Sequence, residues 1–388
     1  MMKGSFPLGE FQGRKTPFYF YDIPLLERTL DAVRSAVRDR PLWQVHYAVK
    51  ANANPGILRR IAAAGLGADC VSGGEIRMAL EAGFAPESIV YAGVGKSDWE
   101  IELALEAGIA RFNVESTAEL QVIEEIAARM GRVAPVCLRV NPDIGAHTHA
   151  HITTGLAENK FGIFHEMLPE AVRMALACPH VRFCGLHFHI GSQVLDMADF
   201  VALCNRINDL TARFERLDLP VGDLNVGGGL GINYEHPNHL PIADFAAYFA
   251  VFKRHLHLRA GQALHFELGR SLVGPCGSLI CRVLYVKQGA TRQFAVVDAS
   301  MTELIRPALY HAYHRIENLS SDLPERLYDV VGPVCESSDV FAKGVSLDEC
   351  RRGDLLAIRS AGAYGESMAS CYNGRPLPGS FLYGETGD

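Results

Sequence analysis

The stretch RFNVESTAELQVIEEIAARMGRVAPVCLRVNP, residues 111–142, reads as strand, helix, strand. Its ends, RFNVES (111–116) and VCLRVNP (136–142), are short β-prone runs. The middle, STAELQVIEEIAARMG (116–131), repeats apolar residues at helical spacing. The same alternation continues outward. Upstream lie VHYAVKA (45–51), GADCVS (67–72) and SIVYAG (88–93), with helical segments such as GEIRMALEAG and DWEIELALEAG between strands. Downstream lie CGLHFHI (184–190), DLNVGGG (223–229) and LHFELGR (264–270). Eight such strands over roughly 250 residues is the count of an α/β fold closed into a parallel (β/α)8 barrel, the TIM-like class. A doubly wound open sheet is the alternative, but it usually stops at fewer strands. Polar residues gather at the C-terminal ends of nearly all these strands: Lys50, Asp69, Ser72, Glu115, Arg139, His189, the glycine run 227–229 and Glu267. In a barrel those ends converge on one mouth, where barrel enzymes place their chemistry.

Past Arg270 the texture changes. ICRVLYVKQ (280–288), QFAVVDAS (293–300), LYDVVGP (327–333) and DLLAIRSAGAYG (354–365) are strand-like, with few long helical patterns between them. TPFYFYD (16–22) is also strand-like and is expected to return to this region. The expected division is a barrel over 24–270 and a β-rich, C-terminal all-β domain formed by 1–23 and 271–388. The polar loop 143–160 has the length of an active-site lid.

The chain has 388 residues, enough for two or three domains at roughly 150 residues each. It is 48% hydrophobic and 21% charged, a composition that buries a large core and argues against disordered or fibrous classes. A net charge of −7 provides no global basic field for nucleic acid or an anionic membrane. The ten cysteines are scattered without a C-x-x-C pair, so zinc ribbons and disulfide-stapled folds are not expected. With no apolar leader and no long apolar run, the expectation is a reduced, soluble, cytoplasmic protein.

AGVGKS (92–97) resembles the tail of a phosphate-binding loop, but Val90 stands where its first glycine belongs. His147, His149 and His151 alternate like metal ligands, yet have no acidic or thiol partner nearby; a solvated loop is expected and no metal. GGGLGI (227–232), at the end of the seventh strand, lets backbone N–H groups approach a phosphate. Lys50 closes an apolar first strand. An interior lysine there is costly unless paired or used covalently.

The runs YAVKAN (47–52), HFHIGS (187–192), NVGGGLG (225–231), ELGR (267–270), TELIRPALY (302–310), GPVCESSD (332–339) and GAYGESMAS (362–370) together resemble the diaminopimelate decarboxylase family. That family sits among the fold-type III pyridoxal-phosphate enzymes, with an alanine racemase-like architecture. The agreement runs in order from about residue 16 to residue 373. The resemblance implies pyridoxal 5'-phosphate as cofactor and conversion of meso-2,6-diaminopimelate to L-lysine and CO2, the last step of lysine biosynthesis. Lys50 would hold the cofactor covalently and exchange it for the substrate amine. Glu267 would keep the pyridine nitrogen protonated, so that the ring accepts electrons, and His189 would stack on it. Ser192, Gly228, Gly229, the backbone at Gly269 and Arg270, and Tyr364 would hold the phosphate. Asp69 and Arg139 would orient Lys50 and the cofactor.

On the substrate side, Arg270, Arg306 and Tyr310 resemble a clamp on the distal carboxylate, with Tyr364 alongside and Glu336 taking the distal ammonium. Cys335 matches the proton donor that reaches the site from a neighbouring subunit, implying a homodimer with shared active sites. Leu268, Ser300 and Cys371 depart from the common proline, glycine and asparagine. Lys160 and Phe161 fit the end of the family's lid. Alternatives are decarboxylation of another basic amino acid or a carboxy-polyamine, and a non-catalytic pyridoxal-phosphate carrier, against which Cys335 argues. A racemase is disfavoured, because it usually pairs arginine with the ring nitrogen.

Overall fold

The computed structural model describes residues 2–4, 6–141 and 160–384. Except for Lys160, the expected lid lies outside the described residues, as do His147, His149 and His151. The chain divides into two compact units. One comprises Thr29–Gly231 and Ala243–Leu272; the other comprises Met1–Arg28, Ile232–Ile242 and Val273–Asp388.

The first unit is the barrel. Its strands are β1 (Trp43–Ala48), β2 (Gly67–Cys70), β3 (Ile89–Tyr91), β4 (Arg111–Val114), β5 (Ala134–Asn141), β6 (Val181–Phe188), β7 (Asp223–Asn225) and β8 (Leu264–Leu268). All pair in parallel; β6 joins β5 to β7, and β8 returns to β1, which closes the ring. Every strand expected from the sequence is present. The expected C-terminal ends ran too far, because the polar and glycine residues there leave the ladder and turn into the mouth. Lys50 is the clearest correction: β1 stops at Ala48, and Lys50 lies in the 3-10 turn Val49–Ala51 with its side chain exposed. The burial cost expected for an interior lysine therefore does not arise.

Three successive barrel helices start at the same S-x-x-E signal. Ser72, Ser97 and Ser116 precede the helices Gly73–Glu81, Asp98–Ala107 and Thr117–Met130. Ser72 and Ser116 accept from the backbone N–H groups of Glu75 and Glu119, and those glutamates accept in return from Val71 and Glu115 N–H. Such caps satisfy donors that a helix start leaves open. Lys96 of AGVGKS is used structurally, donating to Glu119 Oε1 at 2.6 Å and to the carbonyls of Gly93 and Asn113.

The barrel interior is unusually polar for a fold that generally fills it with branched apolar side chains. In the interior, His46 on β1 and His265 on β8 stack with Nε2 and Nδ1 3.0 Å apart, and His46 Nδ1 lies 3.0 Å from the Ser88 carbonyl. The carbonyl only accepts, so His46 carries its hydrogen on Nδ1. Burial, reinforced by His265, lowers the His46 pKa to about 3.

The second unit is a mixed sheet centred on the long strand Gly277–Gln288. That strand pairs antiparallel with Phe18–Asp22, Leu355–Ile358 and Gln293–Val297. Gly379–Tyr383 adds in parallel beside Phe18–Asp22, and Glu325–Val331 pairs with Gln293–Val297 and Val340–Asp348. Phe6, Phe11, Phe18, Phe20 and Ile280 form an aromatic-rich core on this sheet. Among the described residues no helix is long and apolar enough to cross a membrane.

Candidate active site

Glu267, on β8, is the centre of the barrel mouth. Asn113 on β4 donates from Nδ2 to Glu267 Oε1 at 3.0 Å, and Asn225 on β7 donates to the same oxygen at 2.7 Å. His187 on β6 places Nε2 3.0 Å from Oε2. Because β4 and β8 are not neighbours in the ring, the Asn113 bond crosses the barrel interior. Burial pushes the Glu267 carboxyl up, but His187, followed by His189 and Lys50, outweighs it and holds the group below the usual carboxylate range. The result is a buried, fixed anion. Sequence reasoning missed His187, Asn113 and Asn225. The available signal was period two: each follows another inward polar or glycine position by two residues in a strand whose alternate residues are apolar.

The other barrel candidates lie near the C-terminal ends of the strands. The Lys50 ammonium acts electrostatically on Asp69, Glu267 and His189. Asp69 is buried, its Oδ1 has no hydrogen-bond partner among the described residues, and burial, then Glu267, raises its pKa. Arg139 is buried in an ion pair with Glu115, Nη1 to Oε1 at 2.7 Å. Glu115 Oε2 also accepts from Gly162 N–H at 2.8 Å. His189 follows β6 directly. Gly228 N–H donates to its Nδ1 at 3.3 Å, which places any ring hydrogen on Nε2. Burial, then Arg139 and Lys50, lowers the His189 pKa well below its ordinary value, so the ring is neutral. A Cβ at Gly228 would fall 1.7 Å from the Glu267 carbonyl oxygen; only glycine brings backbone this close. Ser192 Oγ accepts from Arg270 Nε at 3.3 Å and Nη2 at 3.0 Å, and Arg270 is buried. Gly229 and Gly269 lie on the loops that follow β7 and β8.

The second unit carries the remaining candidates. Arg306 is buried at the start of the helix Arg306–Tyr310, and Tyr310, half-buried, ends it. Cys335 and Glu336 are exposed on the turn 332–339. Asp339, missed in the sequence, builds that turn: its carboxylate accepts from Met301 N–H at 2.7 Å and Val334 N–H at 2.8 Å. Cys335 N–H donates to Asn373 Oδ1 at 3.3 Å, and Tyr372 OH donates to Glu336 Oε1 at 2.6 Å. Tyr364 is half-buried with a φ of 56°. Ser300, one of the departures, donates its hydroxyl and backbone N–H to Glu303 Oε2. Most cysteines are buried, and burial pushes Cys137 up to about 12, out of reactive range; Cys335 and Cys371 are exposed. Among the described residues no cluster of His, Cys, Asp or Glu could hold a metal ion.

Comparison with known proteins agrees with this layout. Residues 25–274 match the family model for the pyridoxal-dependent decarboxylase, pyridoxal binding domain. The chain is 59% identical to the diaminopimelate decarboxylase of Bacteroides thetaiotaomicron, over 99% of this chain and all of that one. It is 44% identical to the diaminopimelate decarboxylase of Neisseria meningitidis serogroup B, covering 93% of this chain and 86% of that one. The crystal structure of Helicobacter pylori diaminopimelate decarboxylase complexed with L-lysine superposes with a TM-score of 0.90 at 40% identity, over 97% of this chain and 93% of that one. With its closed barrel, separate mixed sheet and buried mouth carboxylate, the chain belongs to the diaminopimelate decarboxylase family of pyridoxal-dependent decarboxylases.

Proposed function

We propose that this chain converts meso-2,6-diaminopimelate to L-lysine, replacing one carboxyl group with hydrogen and releasing CO2. The observation that carries the reaction type is Glu267, an anion fixed by three side-chain contacts at the barrel mouth. Pyridoxal phosphate, the family's cofactor, supplies an electron sink for the pair left when CO2 departs. The mouth fits it. Glu267 is an ionised acceptor for a ring N–H, and Lys50 is an exposed amine for an aldehyde. The backbone at Gly228, Gly229 and Gly269, with Ser192, offers mostly neutral donors for a phosphate, and Tyr364 of the second unit would be a further one. The Oδ1 of Asp69, without a hydrogen-bond partner among the described residues, is a buried polar atom open to a cationic or N–H neighbour.

His189, neutral and held at Nδ1 by Gly228, presents a flat face. Arg139 is kept in place by Glu115. Arg270 and Arg306 would take the distal carboxylate, with Tyr310 beside them, and Glu336 the distal ammonium. A substrate whose far end is itself an amino acid satisfies both kinds of charge; a simple diamine precursor brings no distal carboxylate to these guanidinium groups. Cys335 Sγ would hand its proton to the carbon that has lost CO2. Its turn is exposed in a single copy of the chain, which supports completion of the site by a second copy as a homodimer.

The test is CO2 release from meso-diaminopimelate, L-lysine and L-ornithine by protein whose absorbance near roughly 420 nm reports bound cofactor. Release from diaminopimelate well above the other two is expected. No release by the loaded protein overturns the assignment, and equal release from lysine overturns the substrate.

A further inference from the structure

Arg306 is not simply a buried cation; its orientation is fixed at one end. Nη1 donates to Tyr234 OH at 3.0 Å and lies 2.9 Å from His314 Nε2. The guanidinium carbon also stands 5.1 Å from the Tyr234 ring centre, and the Tyr234 and His314 rings meet edge to face at 5.1 Å. His314 Nδ1 lies 2.8 Å from the Arg359 carbonyl oxygen. That oxygen only accepts, so Nδ1 carries a hydrogen; Arg306 only donates, so Nε2 must be bare. The tautomer of His314 is thereby set by its two neighbours, and both hydrogens of Nη1 have acceptors. A guanidinium is planar, so fixing Nη1 in two directions fixes the plane of the whole fork.

Tyr234 reaches this place by a detour. It belongs to Ile232–Ile242, the segment between β7 and β8 that groups with the second unit rather than with the barrel on either side of it in sequence. Arg306, Tyr234 and His314 are all buried.

We propose that Tyr234 and His314 are positioning residues that set substrate specificity by aiming Arg306 at the distal carboxylate. This rests on the reading of Arg306 as a carboxylate clamp. Neither residue touches substrate; each acts by denying Arg306 other orientations. A carboxylate gains from a preset fork because the ordering is already done before binding, whereas a ligand lacking that carboxylate gains nothing from it.

The experiment compares competitive inhibition by L-lysine, which retains the carboxylate, with that by 1,5-diaminopentane, which lacks it, alongside kcat and KM for meso-diaminopimelate. His314→Leu should weaken L-lysine and raise KM about tenfold, the scale of one hydrogen bond to a charged group. The diamine should be unaffected and kcat largely kept. His314→Gln, whose carbonyl oxygen can replace Nε2 as acceptor, should restore most of the loss. Tyr234→Phe, which removes a single oxygen, should act in the same direction and serves if His314→Leu does not fold. Arg306→Gln separates the two levels. If it fails to distinguish lysine from the diamine, the clamp reading falls. If it distinguishes them but neither His314→Leu nor Tyr234→Phe does, or if those variants weaken both ligands equally, the positioning role is overturned.

Discussion

The barrel mouth and the turn 332–339 place chemical groups in opposite ways. At the mouth Glu267 and Arg139 are buried and held by their own chain, Glu267 by Asn113, Asn225 and His187, and Arg139 by Glu115. On the turn the backbone is fixed by buried Asp339, while Cys335 and Glu336 stand exposed. The difference teaches a division of labour. The mouth charges are preorganised, because a low-dielectric interior strengthens fixed charges that have partners. Cys335 and Glu336 instead stand on a surface that a second one could cover.

The strongest attack on this contrast is Cys335→Ala. Removing a proton donor should lower kcat by about 10²–10⁴-fold while the cofactor absorbance stays. Mixing that variant with Lys50→Ala chains should restore activity if the site draws on two copies; no recovery in a mixture of confirmed heterodimers breaks the shared-site half of the comparison. On the barrel side, Glu267→Gln keeps the shape and removes the anion. A loss of about 10²–10³-fold in kcat is expected, as for removal of a preorganised electrostatic group. Steady-state kinetics showing less than tenfold would mean the three-contact cradle serves the fold alone.

The smallest effect concerns stability rather than rate. His46 has a folded pKa of about 3 against 6.5 for the free side chain. Between those values the unfolded chain takes up a proton that the folded barrel refuses, so stability is full above pH 6.5 and falls as pH drops toward 3. By pH 4 the loss should be on the order of 3 kcal/mol. Denaturant titrations at pH 7 and 4 check it, and His46→Leu should flatten the slope. An unchanged slope in that variant would place the acid sensitivity elsewhere.

Much of the barrel was legible because its information is local. Each strand carries its own β-branched run, each helix its apolar spacing, and three helices announce their starts with S-x-x-E. Lys50 and the His189, Gly228 and Glu267 runs were legible as strand ends, since closure of a barrel brings all such ends to one mouth. The strand limits were overread because a polar residue at a strand end and one just past it look alike in sequence. Ser300, a departure from the family pattern, proved to be a hydroxyl bonded to Glu303, a contact only folding could reveal.

The sequence by itself determined the alternation, the count of eight strands and the order of the motifs, because propensity and periodicity act over a few residues. Only the tertiary structure decided that Lys50 is exposed within an otherwise buried turn, that Asn113, Asn225 and His187 converge on Glu267 from three strands, and that Tyr234 leaves its barrel neighbours in the chain to hold Arg306. Those contacts join residues far apart in the chain. A hydrogen bond depends on angles and distances of a few tenths of an ångström, which no local pattern encodes.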